Sequence, residues 1–110
     1  MHDRITKADS VTVGDPGLSV LVILLRLLGI GANIEQIRHR FGGVRIGVPE
    51  MLRCAKEFGL KARERIADWE RLETTPMPAI AALRDGGFLL LGKFGDGKVI
   101  VHRRIRRARP

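Results

Sequence analysis

The sequence is poor in several things, and each shortage excludes something. There is one cysteine, Cys54, in 110 residues. An intrachain disulfide is impossible, and a Cys-based zinc site has too few thiols. There is no tyrosine, one tryptophan and four phenylalanines, and none of these aromatics lies in the basic C-terminal end. A reader of single-stranded nucleic acid interleaves aromatics with its basic residues, so nucleic acid is not expected as a partner. Long apolar runs are missing too. The most apolar stretch, Leu18 to Ile30, is broken by Ser19, Arg26 and Gly29 and falls short of the roughly 20 residues a membrane-spanning helix needs. The polar first 17 residues do not fit a secretory signal, so the expected compartment is the cytoplasm. No phosphate-loop, Rossmann or Gly-x-Ser-x-Gly pattern occurs. No pair of His2, His39 and His102 has metal-ligand spacing, and His39 and His102 sit beside arginines. No metal or cofactor is expected.

The composition is that of a globular chain, 45% hydrophobic and 29% charged. The length suits one domain with one modest core. The net charge is +8, but Arg103, Arg104, Arg106, Arg107 and Arg109 supply five of those charges. Against 12 acidic residues the rest of the chain carries only +3, so the basicity belongs mostly to the C-terminal end.

Residues 1–13 show little pattern and are expected to be loose. Asp15-Pro16-Gly17 then opens the apolar run, with Asp as N-cap and Pro in the first helical turn. Asn33 and Gln36 form a capping pair for a second helix, with Ile34, Ile37 and Phe41 as its stripe. A third helix starts near Pro49. Met51, Cys54, Ala55 and Phe58 share one of its faces, and Gly59 stops it. Cys54 is therefore expected in the core rather than as a nucleophile. Residues 60–66 alternate apolar and charged, which predicts a half-exposed strand. Residues 67–73 allow a turn or two of helix, with Trp69 at the edge of the core. Pro76 and Pro78 enforce an extended entry. Apolar runs at 79–83, 88–94 and 99–101, separated by Asp85-Gly86-Gly87 and Gly95-Asp96-Gly97, read as an antiparallel meander. The expected class is α+β.

The ordered series of segments resembles a known family. Gly14-Asp15-Pro16-Gly17-Leu18, Ile34 to Phe41, Gly47-Val48-Pro49-Glu50-Met51-Leu52, Ala55 to Lys61, Pro78-Ala79-Ile80, Asp85-Gly86-Gly87-Phe88 and Val99-Ile100-Val101-His102 are similar, in order, to the C39 peptidases and C39-like N-terminal domains of bacterial ABC exporters. The resemblance covers residues 10–104. It implies a papain-like cysteine peptidase fold, with N-terminal helices packed on an antiparallel β-sheet. It divides the chain into a loose segment 1–13, a C39-like domain 14–104 and a basic tail or start of a linker at 105–110.

The resemblance also assigns positions. Family peptidases carry an Asp-Cys-Gly whose Cys is the nucleophile; here that place holds Pro16. The oxyanion-stabilising Gln falls on Ser10, the general-base His on Gly87 and the orienting Asp on Arg103. Proline has no thiol, glycine no imidazole, and arginine has the wrong charge to steady an imidazolium. On this reading the chain is expected to be no enzyme but a degenerate cysteine peptidase, part of an ATP-driven transporter. It would sit on the cytoplasmic face of the bacterial inner membrane and recognise or tether an unfolded secreted protein or peptide before translocation. The alternative is a structural or regulatory domain contacting the transporter's ATPase domain or an anionic membrane surface, without cargo binding. The expected partners are that cargo, the remainder of an ABC exporter and, on the alternative reading, an anionic membrane surface. A peptidase whose site has moved, with Cys54 reactive, is the remaining enzymatic reading.

Overall fold

The computed structural model describes residues 5–6, 9–65 and 68–108. Nine elements follow in the order β1 (Ile5–Thr6), β2 (Asp9–Val13), α1 (Pro16–Leu27), α2 (Ile34–Arg40), α3 (Val48–Glu57), α4 (Trp69–Leu72), β3 (Ala79–Ala82), β4 (Phe88–Gly95) and β5 (Lys98–Arg107). The helices gather on one sheet, giving the α+β, papain-like arrangement the resemblance implies.

Helix α1 starts where the sequence says it should. Asp15 caps it by accepting from the Leu18 amide at 3.1 Å, and Pro16 fills the first turn, where an N–H would have no intrahelical partner. Leu18, Val20, Leu21, Val22 and Leu25 are almost wholly buried. Each such side chain contributes about 1.5–3 kcal/mol relative to exposure, so this helix is the largest single source of hydrophobic stabilisation. Asn33 caps α2 through the Glu35 and Gln36 amides. Glu50 caps α3 by accepting from the Gly47 amide at 2.7 Å. Three of the four expected stripe residues on α3, Met51, Cys54 and Ala55, are buried, whereas Phe58 at the helix C-cap is 37% exposed.

β3, β4 and β5 form the expected antiparallel meander. Two register shifts around Leu91 curl it, so successive stretches of β4 and β5 serve two different cores. Phe88, Leu90 and Ile105 pack with α1 in the main cluster. Leu91, Val99 and Val101 pack on the other face with Trp69, Leu72 and Met77. The Trp69 and Phe94 rings meet there at 5.7 Å and 60°. The Met77–Pro78 peptide is cis.

Three expectations need correction. First, the N-terminal segment expected to be loose holds two strands. β1 and β2 run parallel to β5, with Ile5 opposite Val99 and Asp9 to Val13 opposite Arg103 to Arg107. Their partner lies some ninety positions away, so no local pattern reveals it. Second, the basic end is not a tail through Arg107. It is part of β5, held between β2 and β4, with Ile105 fully buried among the arginines. Third, residues 60–65 form no strand: they lie as exposed chain after Leu60. Alternation licenses a strand only where an edge is there to receive it. Ile66 and Ala67, the end of that expected strand and the start of the next expected helix, lie outside the described residues, as does His2.

Candidate functional site

The most constrained corner of the molecule is the start of α1. The Asp15 carboxylate serves two segments at once. One oxygen caps Leu18, and the other accepts from the Ile46 amide at 3.2 Å, tying α1 to the loop before α3. Gly17 completes the junction. A Cβ at that position would overlap the Ile46 carbonyl oxygen and lie 2.9 Å from its carbon. Only glycine lets the two backbones approach this closely. Pro16 is buried at the first helical position, between these two anchors.

The turn between β3 and β4 is the second constrained corner. Asp85 accepts from the Gly87 amide at 2.8 Å and lies 3.9 Å from the Arg104 guanidinium. A Cβ on Gly87 would stand 2.7 Å from the Ile105 carbonyl oxygen and 3.1 Å from the Asp85 carboxylate. The Arg107 side chain lies over Gly86, whose φ of +88° is in the region glycine favours.

The four positions singled out in the sequence are distributed as follows. Ser10 is on β2 opposite Arg104, and Arg103 is on β5 between Asp9 and Leu90. Gly87 enters β4 beside Ile105 and Arg106. Pro16 begins α1, three residues after Val13, which lies opposite Arg107. Gly87 and the start of α1 thus lie toward the same end of β5. Arg103 stands three residues back along the strand from Arg106, roughly 10 Å at about 3.3 Å per residue.

The remaining candidates are Cys54, His39 and His102. Cys54 is fully buried in α3. Burial, with a smaller push from Glu57 against an opposing pull from Arg40, raises its pKa above the usual thiol value. That is the reverse of what a reactive thiolate needs. His39 lines an open depression of about 410 Å³ with Glu35 and Arg38, which form an ion pair there. His102 is exposed on β5. Among the described residues no group of three or more His, Cys, Asp or Glu is placed to hold a metal ion, and no helix is long and apolar enough to cross a membrane.

One feature was not foreseen from the sequence. Between α4 and the outer face of the sheet lies an apolar slot of about 200 Å³, lined by Trp69, Leu72, Ala81, Leu89, Leu91 and Val99, with Asp68 at its rim. Its residues come from four elements, so only the weak signal of Trp69 at a core edge pointed toward it.

Comparison with known proteins adds the following. Residues 7–109 match the Peptidase C39 family. The cyclolysin secretion/processing ATP-binding protein CyaB of Bordetella pertussis is 38% identical over 90 residues, 82% of this chain and 13% of that protein. The alpha-hemolysin translocation ATP-binding protein HlyB of Escherichia coli is 33% identical over 87 residues, 77% of this chain and 12% of that protein. The exotoxin translocation ATP-binding protein PaxB of Pasteurella aerogenes is 36% identical over 81 residues, 72% of this chain and 11% of that protein. The chain therefore spans about an eighth of the length of these curated relatives.

These findings correct the expectation that the chain is no enzyme. The family matched is a peptidase family, the match runs almost from end to end, and neither it nor the relatives show active-site residues replaced. The resemblance itself is upheld: the family match and the exporter relatives both cover most of the sequence, and the fold agrees with them. This chain belongs to the Peptidase C39 family.

Proposed function

We propose that this domain works within an ATP-driven exporter, where it engages an unfolded secreted polypeptide before translocation. The observation that carries the reading is the set of relatives: three proteins named for secretion or translocation, each matched over only 11–13% of its length by most of this chain. A part of that size suits an accessory module, with transport itself residing elsewhere in the longer protein. On this reading the domain sits at the cytoplasmic face of the inner membrane, where cargo arrives unfolded. Its charge of +8 favours acidic cargo, because long-range attraction raises the encounter rate and salt screens it.

The test is a pull-down with one acidic secreted polypeptide presented folded and unfolded. The reading expects recovery of the unfolded form, weakening as salt rises. Equal recovery of both forms, or of neither, refutes it.

A second reading is favoured by one observation. Arg104, Arg106 and Arg107 are exposed at the end of β5. Such a group could rest on anionic headgroups, at about 1 kcal/mol per close basic residue, and brace the domain without touching cargo. Co-sedimentation with anionic vesicles, lost when these arginines are neutralised, together with no cargo recovery, would decide for it.

A further inference from the structure

The outer face of the sheet has two halves that meet. One half is the apolar slot under α4. The other is basic. Arg104 and Arg106 alternate along β5 with the buried Ile105, so they project to the face opposite α1. The halves are joined directly, because Leu89, which lines the slot, is the cross-strand partner of Arg104. Cross-strand side chains stand about 5 Å apart, so the slot and the first guanidinium are separated by one or two residues of extended chain at roughly 3.3 Å each.

The charges on this face are available. Among the described residues Arg104 has as an ion-pair partner only the exposed Asp85 carboxylate, at 3.9 Å. Among the described residues no carboxylate pairs with Arg106. Asp68, the one acidic group among the described residues that line the slot, is already engaged: it caps α4 through the Arg71 amide at 2.8 Å and pairs with the Arg71 guanidinium at 3.3 Å. The slot itself is large enough for one ring or branched side chain, since a cavity of about 150 Å³ holds benzene.

We propose that this face is a binding site for an extended acidic polypeptide, with one large apolar side chain of the peptide in the slot and flanking carboxylates on Arg104 and Arg106. The inference rests on the reading that the domain engages an unfolded chain, and it names the surface and the chemistry that segment must have. Neither half suffices alone. Charge brings an acidic chain near without fixing its register, and the slot selects a position along it that carries an apolar group.

Trp69 is the chain's sole tryptophan and lines the slot, so its emission reports occupancy. The experiment titrates the full chain with a synthetic peptide of Asp, Ser and Gly carrying one central Phe. Saturable change in Trp69 emission is expected. Replacing the peptide's Phe by Ser, which leaves the protein untouched, should weaken binding about tenfold or more. The double substitution Arg104→Gln, Arg106→Gln should weaken it by a similar factor and flatten its salt dependence. Ala81→Leu, which fills the slot, should abolish the emission change while circular dichroism stays native. Binding indifferent to both the peptide's Phe and the two arginines overturns the proposal. So does an emission change with anionic vesicles in place of the peptide, which would make the face a lipid site. If an unfolded cargo still binds the Arg104→Gln, Arg106→Gln and Ala81→Leu chains at full strength, cargo engagement stands and this face is not its location. If no acidic peptide or unfolded cargo binds at all, both ideas fall.

Discussion

Replacing Gly17 by alanine tests the junction at the start of α1, because the clash it creates is with backbone rather than with a movable side chain. The added methyl would overlap the Ile46 carbonyl oxygen and approach the carbonyl carbon to 2.9 Å and the Met51 methyl to 3.3 Å. The loop at Ile46 must move. It is held by the Asp15 carboxylate on its amide, so moving it stretches or breaks that bond. Overpacking of this kind costs about 1–3 kcal/mol, and a buried amide left without its acceptor costs about 1–3 kcal/mol more. Alanine's better helix propensity returns at most about 1 kcal/mol. The expected net loss is about 2–4 kcal/mol, a large share of the roughly 5–15 kcal/mol that stabilises a domain. Urea unfolding followed by circular dichroism should show the midpoint falling by about 1–2 M with an unchanged slope. Asp15→Ala alone should cost about 2 kcal/mol, through the cap and the Ile46 amide. The double variant should cost clearly less than the two losses added, since each already disturbs the same Ile46 contact. A midpoint for Gly17→Ala at or above the parent's, or strict additivity with Asp15→Ala, would refute the reasoning.

Other outcomes follow from the same structure. Gly87→Ala should destabilise by about 1–3 kcal/mol, because its methyl would stand 2.7 Å from the Ile105 carbonyl oxygen; a native melting temperature would count against the drawn strand contact. Leu90→Ala, at a site with no exposure, should cost about 2–5 kcal/mol in a chemical denaturation series, and a loss under about 1 kcal/mol would mean the main core does not close around it. The raised Cys54 pKa favours the protonated thiol in the fold. Its stabilising share is therefore complete below the ordinary thiol value and fades as pH climbs through the raised one. Native alkylation at neutral pH should be slow and should become fast in urea; rapid native labelling would contradict the burial.

What could be read from the sequence was local. Asp15-Pro16, Asn33 and the stripe of Met51, Cys54 and Ala55 act within a turn or two of themselves, and the structure places them as expected. What escaped was long-range. Val11-Thr12-Val13 is a β-branched run of the sort strands favour, but nothing nearby offers an edge; its partner is Ile105 and its neighbours, near the other end of the chain. Five arginines made that partner look like a solvated tail. The single apolar Ile105 among them was the signal that it is a strand, though the register shift near Leu91 turns it to the opposite face from Val99 and Val101. Residues 60–65 show the converse error, a pattern with no edge to receive it. The apolar slot was illegible for a third reason: its lining comes from α4, β3, β4 and β5, and the gap depends on how far α4 stands off the sheet.

The most direct measurement is a calorimetric titration of the chain with an acidic secreted polypeptide, first held unfolded and then folded, at low and at high salt. Engagement of unfolded export cargo predicts a dissociation constant at least about tenfold lower for the unfolded form, rising steeply with salt. Equal affinity for the two forms, or no heat with either, would contradict it.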